Sequence, residues 1–155
     1  MYPVLYETGF ASQPTATSRD DGMRLTDAYI TAAVRCAPPA NKPAPEEIAN
    51  CAHFLDAEIR LLAKLRVVVA LGKIGFDAYL NHLRRRGLIS SRAPYEFRHG
   101  AEYQMPNGMT LLGTYHPSLQ NTNTGKLTIE MFRRIFERAR EIAKKSASKS
   151  KEQGQ

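Results

Sequence analysis

The sequence is short of the residues and runs that mark several protein classes. It holds only two cysteines, Cys36 and Cys51, in 155 residues. Two are too few for a disulfide scaffold, or for an iron–sulfur or structural zinc site built on cysteine alone. Read by themselves they are two reduced thiols. No stretch approaches the roughly 20 consecutive apolar residues that a membrane span needs. The first residues, Met1 to Tyr6, carry neither a basic region nor a signal-peptide core. The expectation is a cytoplasmic protein with no membrane partner. No internal repeat is present.

What the chain does have is enough length and apolar content for one packed domain. Hydrophobic residues make up 43 % of it, an ordinary globular share. The net charge of +7 favours an anionic partner, and nucleic acid is the first candidate. A second reading stays open. Lys144, Lys145, Lys149 and Lys151 lie in or beside a Ser/Lys/Gln tail whose composition is that of a disordered segment. Arg84, Arg85 and Arg86 suit a solvated helix end, where cations complement the helix dipole.

Hydrophobic patterning predicts the elements. Met1 to Gly9 reads as the last turns of a helix, with Tyr2, Leu5 and Tyr6 on one face and Gly9 as its stop. Ala28 to Val34 reads as a short buried strand. Residues 36–45 form a proline-braced loop, and Pro45 then opens a helix with Ile48, Ala52, Leu55, Ile59 and Leu62 on one face. Val67 to Leu71 is a continuous apolar strand of the kind found inside a parallel sheet. After Gly72 a helix presents Ile74, Phe76, Tyr79, Leu80 and Leu83. Glu102 to Tyr115 resembles a hairpin turning at Pro106, Asn107 and Gly108. Thr128 is a fitting N-cap for a last helix with a stripe of Ile129, Phe132, Ile135, Phe136, Ala139 and Ile142. The order predicts a three-layer α/β/α sandwich around a mostly parallel sheet over residues 1–145, and a disordered basic tail over 146–155.

In such sheets, sites lie at the carboxyl ends of the strands. Three loops qualify: residues 36–45, the turn at Gly72, and His116 to Lys126. The last carries the strongest signal. A strand presents His116 and is stopped by Pro117. Ser118, Asn121, Thr124, Gly125 and Lys126 then supply hydroxyls, an amide, a glycine and an ammonium suited to a phosphate backbone. His116 could equally be a histidine that bonds a backbone group. His53, His82 and His99 read as surface or structural. Thr124-Gly-Lys126 fails as a P-loop, because Gln120 stands where a glycine is required and Leu127 follows the lysine. No nucleophile elbow supports a serine triad. Asn41, on the stiff loop, is either a turn-former or an amide able to read a base edge.

These residues carry a resemblance. Thr26-Asp-Ala-Tyr-Ile-Thr-Ala-Ala-Val-Arg-Cys-Ala-Pro-Pro-Ala-Asn-Lys-Pro-Ala-Pro-Glu-Glu-Ile-Ala-Asn-Cys51 resembles the central segment of the iron–sulfur uracil-DNA glycosylases, most closely the B type, family 5. His116-Pro-Ser-Leu-Gln-Asn-Thr-Asn-Thr-Gly-Lys126 is similar to that family's second active-site motif, and Val67 to Gly72 fits the strand between them. The likeness runs from about Tyr2 to Lys145. It implies a monomeric DNA-repair hydrolase that cleaves the N-glycosidic bond of deaminated bases in DNA. It implies that His116 steadies negative charge on the leaving base, that Asn41 helps to recognise the base, and that the loop from Pro117 to Lys126 enters the minor groove. Cys36 and Cys51 resemble the third and fourth ligands of a structural [4Fe–4S] cluster.

The chain also departs from the family pattern. The family's first motif, with its water-positioning aspartate, has no counterpart here, nor do the first strand and two further cluster cysteines. Asp20, Asp21 and Asp27 do not take the aspartate's place. The expectation is therefore the C-terminal portion of such an enzyme, with two of four cluster ligands and weak or no activity. The alternative is a fragment that binds DNA without chemistry.

Overall fold

A computed structural model describes residues 1–35 and 43–152, with side chains described as far as Lys145. Its elements are α1 (Tyr2–Glu7), α2 (Pro45–Leu61), β1 (Val67–Leu71), α3 (Gly72–Arg85), β2 (Glu102–Gln104), β3 (Thr110–Thr114), α4 (Leu119–Asn123) and α5 (Ile129–Glu152). The strands form one sheet in the order β1-β3-β2. β1 pairs parallel with β3 from Val67↔Thr110 to Leu71↔Thr114, and β2 pairs antiparallel with β3 from Glu102↔Leu112 to Gln104↔Thr110. The sheet is mixed, and parallel pairing is the longer part of it.

The apolar run of β1 follows from helices on both faces. Successive strand side chains point to opposite sides. Val67, Val69 and Leu71 join the cluster of Val4, Leu5, Phe132, Ile135, Phe136 and Ala139 from α1 and α5. Val68 and Ala70 join Phe76, Tyr79, Leu80 and Leu83 of α3. β3 divides the same way, with Leu112 on the first face and Leu111 on the second. Phe76, Leu80, Leu83 and Leu111 have no exposed surface, and each such side chain contributes about 1.5–3 kcal/mol by burial. The result is the three-layer arrangement, with α2 as an outer helix behind α3.

Local chemistry sets the helix starts. Thr128 Oγ1 accepts from the Met131 amide at 3.1 Å and caps α5. At α2, Pro45 takes the first turn and Glu47 reaches back to accept from the Ala44 amide at 2.8 Å. The hairpin turns at Pro106 to Gly108, where Met109 and Met105 close it backbone to backbone at 2.8 Å.

Four features differ from the sequence reading. Ala28 to Val34 is irregular, and Tyr29 and Ile30 are exposed. High β-propensity needs a partner to pair with, and among the described residues no strand lies along this segment. It is tethered through side chains instead. Glu58 of α2 accepts from the Tyr29 hydroxyl at 2.9 Å, and also from Thr31 and the Arg35 guanidinium. α1 buries Val4 and Leu5 rather than Tyr6, which is exposed. Ile74 and Ile129 are exposed because each stands in the first turn of its helix, before the stripe reaches the sheet. Finally, α5 continues as helical backbone to Glu152, past the predicted end at Lys145. Lysine, serine, alanine and glutamate are tolerated in a helix, and neither glycine nor proline interrupts before Gly154. No helix among the described residues is long and apolar enough to cross a membrane.

Candidate active site at the end of the central strands

Parallel pairing brings the carboxyl ends of β1 and β3 side by side, Leu71 opposite Thr114. The turn into α3 therefore meets the segment after β3. Gly72 has φ +85°, and a Cβ placed there would lie 3.2 Å from the Cβ of His116. Only a glycine serves both needs, a left-handed backbone and a close approach. Two of the three predicted loops thus form one site. Most of the third, including Cys36 and Asn41, lies outside the described residues.

The segment after His116 is held by its own polar groups. The His116 carbonyl accepts from the Ser118 amide and from Asn121 Nδ2, both at 2.8 Å. Ser118 Oγ caps α4 by accepting from the Asn121 amide at 3.3 Å. Thr124 Oγ1 donates to the Gln120 carbonyl at 2.7 Å. The Asn121 carbonyl accepts from the Leu127 amide at 3.0 Å, and the buried Leu127 side chain pins the loop to the core. Ser118, Asn121 and Thr124 therefore shape the loop first. The Asn121 amide steadies the backbone of His116, and the Thr124 hydroxyl has spent its one hydrogen. Gly125 and Lys126 are exposed, and the Lys126 ammonium lies 4.8 Å from the centre of the Tyr115 ring, a cation–π contact.

The His116 imidazole is exposed and makes no hydrogen bond among the described residues. A second histidine, His99, which the sequence alone reads as surface or structural, contacts the two residues that precede His116. His99 Nδ1 lies 3.2 Å from Thr114 Oγ1 and 3.5 Å from the Tyr115 amide nitrogen, which donates to it. Its ring tilts over Tyr115 at 5.3 Å. Burial holds its pKa below the usual histidine value. Phe97 links Tyr115 to Phe76 through edge contacts at 6.3 and 5.5 Å, so the site rests on the aromatic core.

The other candidates lie elsewhere. His82 is buried and bonds Asp56 of α2 at 2.7 Å, with Arg85 on the same carboxylate, so it fastens α2 to α3. His53 packs on Phe54. Cys51 is half-buried on α2, and its Sγ accepts from the Arg35 amide at 3.5 Å. That bond brings the residue preceding Cys36 to Cys51. Among the described residues no group of three or more His, Cys, Asp or Glu converges as a metal site. With two cysteines in the whole sequence, the chain does not supply the four thiolates of a [4Fe–4S] cluster.

The sequence matches the family described as the Uracil DNA glycosylase superfamily over residues 1–140. It is 50 % identical to a type-5 uracil-DNA glycosylase of Thermus thermophilus over 143 residues, which is 92 % of this chain and 63 % of the relative. A type-5 uracil-DNA glycosylase of Mycobacterium tuberculosis is 42 % identical over 144 residues, 92 % of this chain and 52 % of the relative. A type-4 uracil-DNA glycosylase of Thermotoga maritima is 30 % identical over 132 residues, 84 % of this chain and 64 % of the relative. The chain thus spans between half and two thirds of the length of these curated relatives.

Proposed function

This chain belongs to the uracil-DNA glycosylase superfamily, and on that footing we propose that it serves base excision repair, supplying the leaving-group histidine and DNA-contacting loop for hydrolysis of the N-glycosidic bond of uracil in DNA. The observation that carries this reading is the exposed His116, set by Gly72 at the joined carboxyl ends of two parallel strands.

The damaged nucleotide leaves the stack, at least cost where it is already mismatched, as in U·G. The bond between the sugar carbon and the base nitrogen breaks, and its electron pair leaves with the base. The sugar becomes oxocarbenium-like and the base anionic. An imidazole N–H of His116 donates to a carbonyl oxygen of that base, where negative charge develops. Such a donor, already in place, stabilises the transition state more than the ground state. Water adds to the sugar carbon and gives up a proton through solvent, and the departed uracil anion takes one up, so that sugar hydroxyl and base both end neutral. Asn121 and Gly72 do not touch the base in this scheme; they fix the backbone from which His116 reaches it. Lys126 leaves its place over Tyr115 to meet a phosphate, and Pro117, Ser118, Thr124 and Gly125 shape the loop that carries it. Asn41 reads the base edge. The protein acts as a monomer in the cytoplasm. Cys36 and Cys51 offer two thiolates toward an iron–sulfur group, and no step above depends on one.

The step least provided for is the orientation of water. No carboxylate among the described residues bonds His116, and Asp77, on the helix that starts at Gly72, is engaged by Lys73 at 2.7 Å and by Arg92 at 3.7 Å. This favours a second reading, DNA binding with weak or absent chemistry. A uracil-excision assay on U·G duplex and on single-stranded uracil DNA separates the two. Abasic product formed by the wild type and lost in His116→Ala supports catalysis by this chain. Salt-dependent DNA affinity without product supports the second reading. Product that survives His116→Ala refutes the role of His116.

A further inference from the structure

We propose that His99 is a second histidine of this site, a positioning residue whose neutral imidazole fixes the backbone of Tyr115 and thereby aims His116. The inference rests on the glycosylase reading of His116 and extends it to a residue outside that loop.

The antiparallel ladder between β2 and β3 reaches Glu102↔Leu112. One step further, Gly113 exchanges backbone bonds with the segment before β2: its amide donates to the Ala101 carbonyl at 2.8 Å, and its carbonyl accepts from the Gly100 amide at 2.9 Å. The next amide on that edge is Tyr115's. Among the described residues no backbone carbonyl meets it. His99 Nδ1 stands there instead, at 3.5 Å, with the Thr114 hydroxyl at 3.2 Å from the same nitrogen. A side chain has replaced the missing rung.

The turn that carries His99 is held as firmly as the strand. A Cβ on Gly113 would lie 2.8 Å from the Arg98 carbonyl oxygen, so that oxygen rests directly on the strand backbone. The same carbonyl accepts from the Ala101 amide at 3.2 Å. His99 is therefore fixed by backbone contacts on each side of it.

His99 Nδ1 can accept from the Tyr115 amide only if it carries no hydrogen, so this arrangement takes the tautomer with its proton on Nε2, and the Thr114 hydroxyl beside it donates to the Tyr115 carbonyl at 3.2 Å. A protonated ring would set two donors against each other at Tyr115. Arg98 beside it in sequence and Lys126 over the ring of Tyr115 are both cationic, and among the described residues no carboxylate bonds His99.

The consequence falls on His116. Among the described residues its imidazole has no hydrogen bond of its own, so its aim depends on its backbone. Asn121 and Ser118 hold the carbonyl side, Gly72 sets the distance at Cβ, and His99 holds the amide of the residue that precedes it. A group placed this way keeps its geometry without reorganising when the base arrives.

The test compares His99→Asn with His99→Gln in the full chain. An asparagine amide oxygen reaches the position of Nδ1, whereas glutamine carries the same amide one carbon too far. Two quantities are read: hydrogen exchange of the Tyr115 amide by NMR, and the affinity ratio between a duplex with one U·G pair and the same duplex with C·G. His99→Asn is expected to keep both near wild type. His99→Gln is expected to speed Tyr115 exchange and reduce the uracil preference, each by about tenfold. Unchanged exchange in His99→Gln overturns the proposal, as does faster exchange with the uracil preference intact, or equal loss in both variants. A wild-type chain with no uracil preference refutes the glycosylase reading itself, and this inference with it.

Discussion

Gly72→Ala tests the packing that places His116, because the structure gives it two separable costs. The first is backbone strain. At φ +85° an L-residue with a Cβ is disfavoured by about 1–2 kcal/mol. In a domain of this size each kcal/mol lowers Tm by roughly 2–4 °C, so strain alone lowers it by about 2–8 °C. The second is contact. The new methyl would lie 3.2 Å from His116 Cβ, 3.9 Å from its amide nitrogen and 4.0 Å from its Cα. One of the two chains must give by a few tenths of an ångström. A misplacement of about 1 Å can cost roughly 100-fold in a catalytic contact. A shift of a third of that corresponds to roughly a three- to tenfold loss.

Gly22→Ala is the control. Gly22 has φ +81° and nothing within 4 Å of its added Cβ, so it carries the strain without the contact. Both variants are followed by thermal unfolding, and by affinity for U·G against C·G duplex. The expected result is a similar loss of Tm in the two, with the uracil preference reduced only in Gly72→Ala. Equal uracil preference in both variants would refute the argument that Gly72 sets the position of His116.

Three further outcomes follow from the same geometry. Asn121→Ala removes the Nδ2 bond to the His116 carbonyl; it should cost about 1 kcal/mol of stability by calorimetry and weaken uracil-DNA binding more than undamaged-DNA binding. Glu102 accepts a forked pair of bonds at 2.8 Å from Arg138, and those bonds hold its carboxyl below the usual range despite partial burial. Its folded pKa is depressed, so its contribution is present above the unfolded value of about 4.3 and is lost as pH falls through the folded one. Glu102→Gln should therefore be less stable than wild type at pH 7, by less than about 1 kcal/mol for so exposed a pair, and the gap should close below about pH 4 in denaturant titrations. Lys126→Gln should reduce the slope of log affinity for DNA against log salt by about 1, whereas Arg138→Gln should leave it unchanged.

The elements legible in the sequence were those whose pattern and packing agree. Val67 to Leu71 has no polar face because helices cover both sides, and the stripe from Phe132 to Ala139 is buried as its spacing requires. The strand-end histidine was legible for the same reason: a strand, a proline and a polar run can be placed without tertiary information. What the sequence could not carry depends on neighbours remote in the chain. Ala28 to Val34 has the composition of a strand, yet a strand exists only with a partner, and the segment leans on Glu58 instead. Ser118, Asn121 and Thr124 have the chemistry of phosphate contacts, but that chemistry serves the loop's own carbonyls and amides equally well. His99 offered no local pattern because its partner, the Tyr115 amide, stands across the hairpin.

The same distinction governs the charge. A net charge of +7 says nothing of where the surplus lies. An ion pair adds nothing to it, so the surplus must reside in cations without a carboxylate partner. On α5 the arginines are largely spent: Arg133 meets Glu7 and Glu130, Arg134 meets Glu130, Arg138 meets Glu102 and Glu141, and Arg140 meets Asp27. Their work is to tie α5 to α1, β2 and the loop before α2. Among the described residues Arg19, Arg24, Arg60, Lys64, Arg84, Arg86, Arg98, Lys126 and Lys144 are exposed and stand in none of these pairs. Two of these stand near His116: Lys126 lies over the ring of Tyr115, and Arg98 precedes His99, which the Tyr115 amide bonds. Attraction to a polyanion is therefore spread over several parts of the surface, and the end where the sheet presents its histidine is one of them, while the arginines of α5 contribute little. Lys126 has no carboxylate to give up before it meets a phosphate, whereas Arg138 is already held by Glu102 and Glu141, and that is why the lysine should alter the salt dependence while the arginine should not.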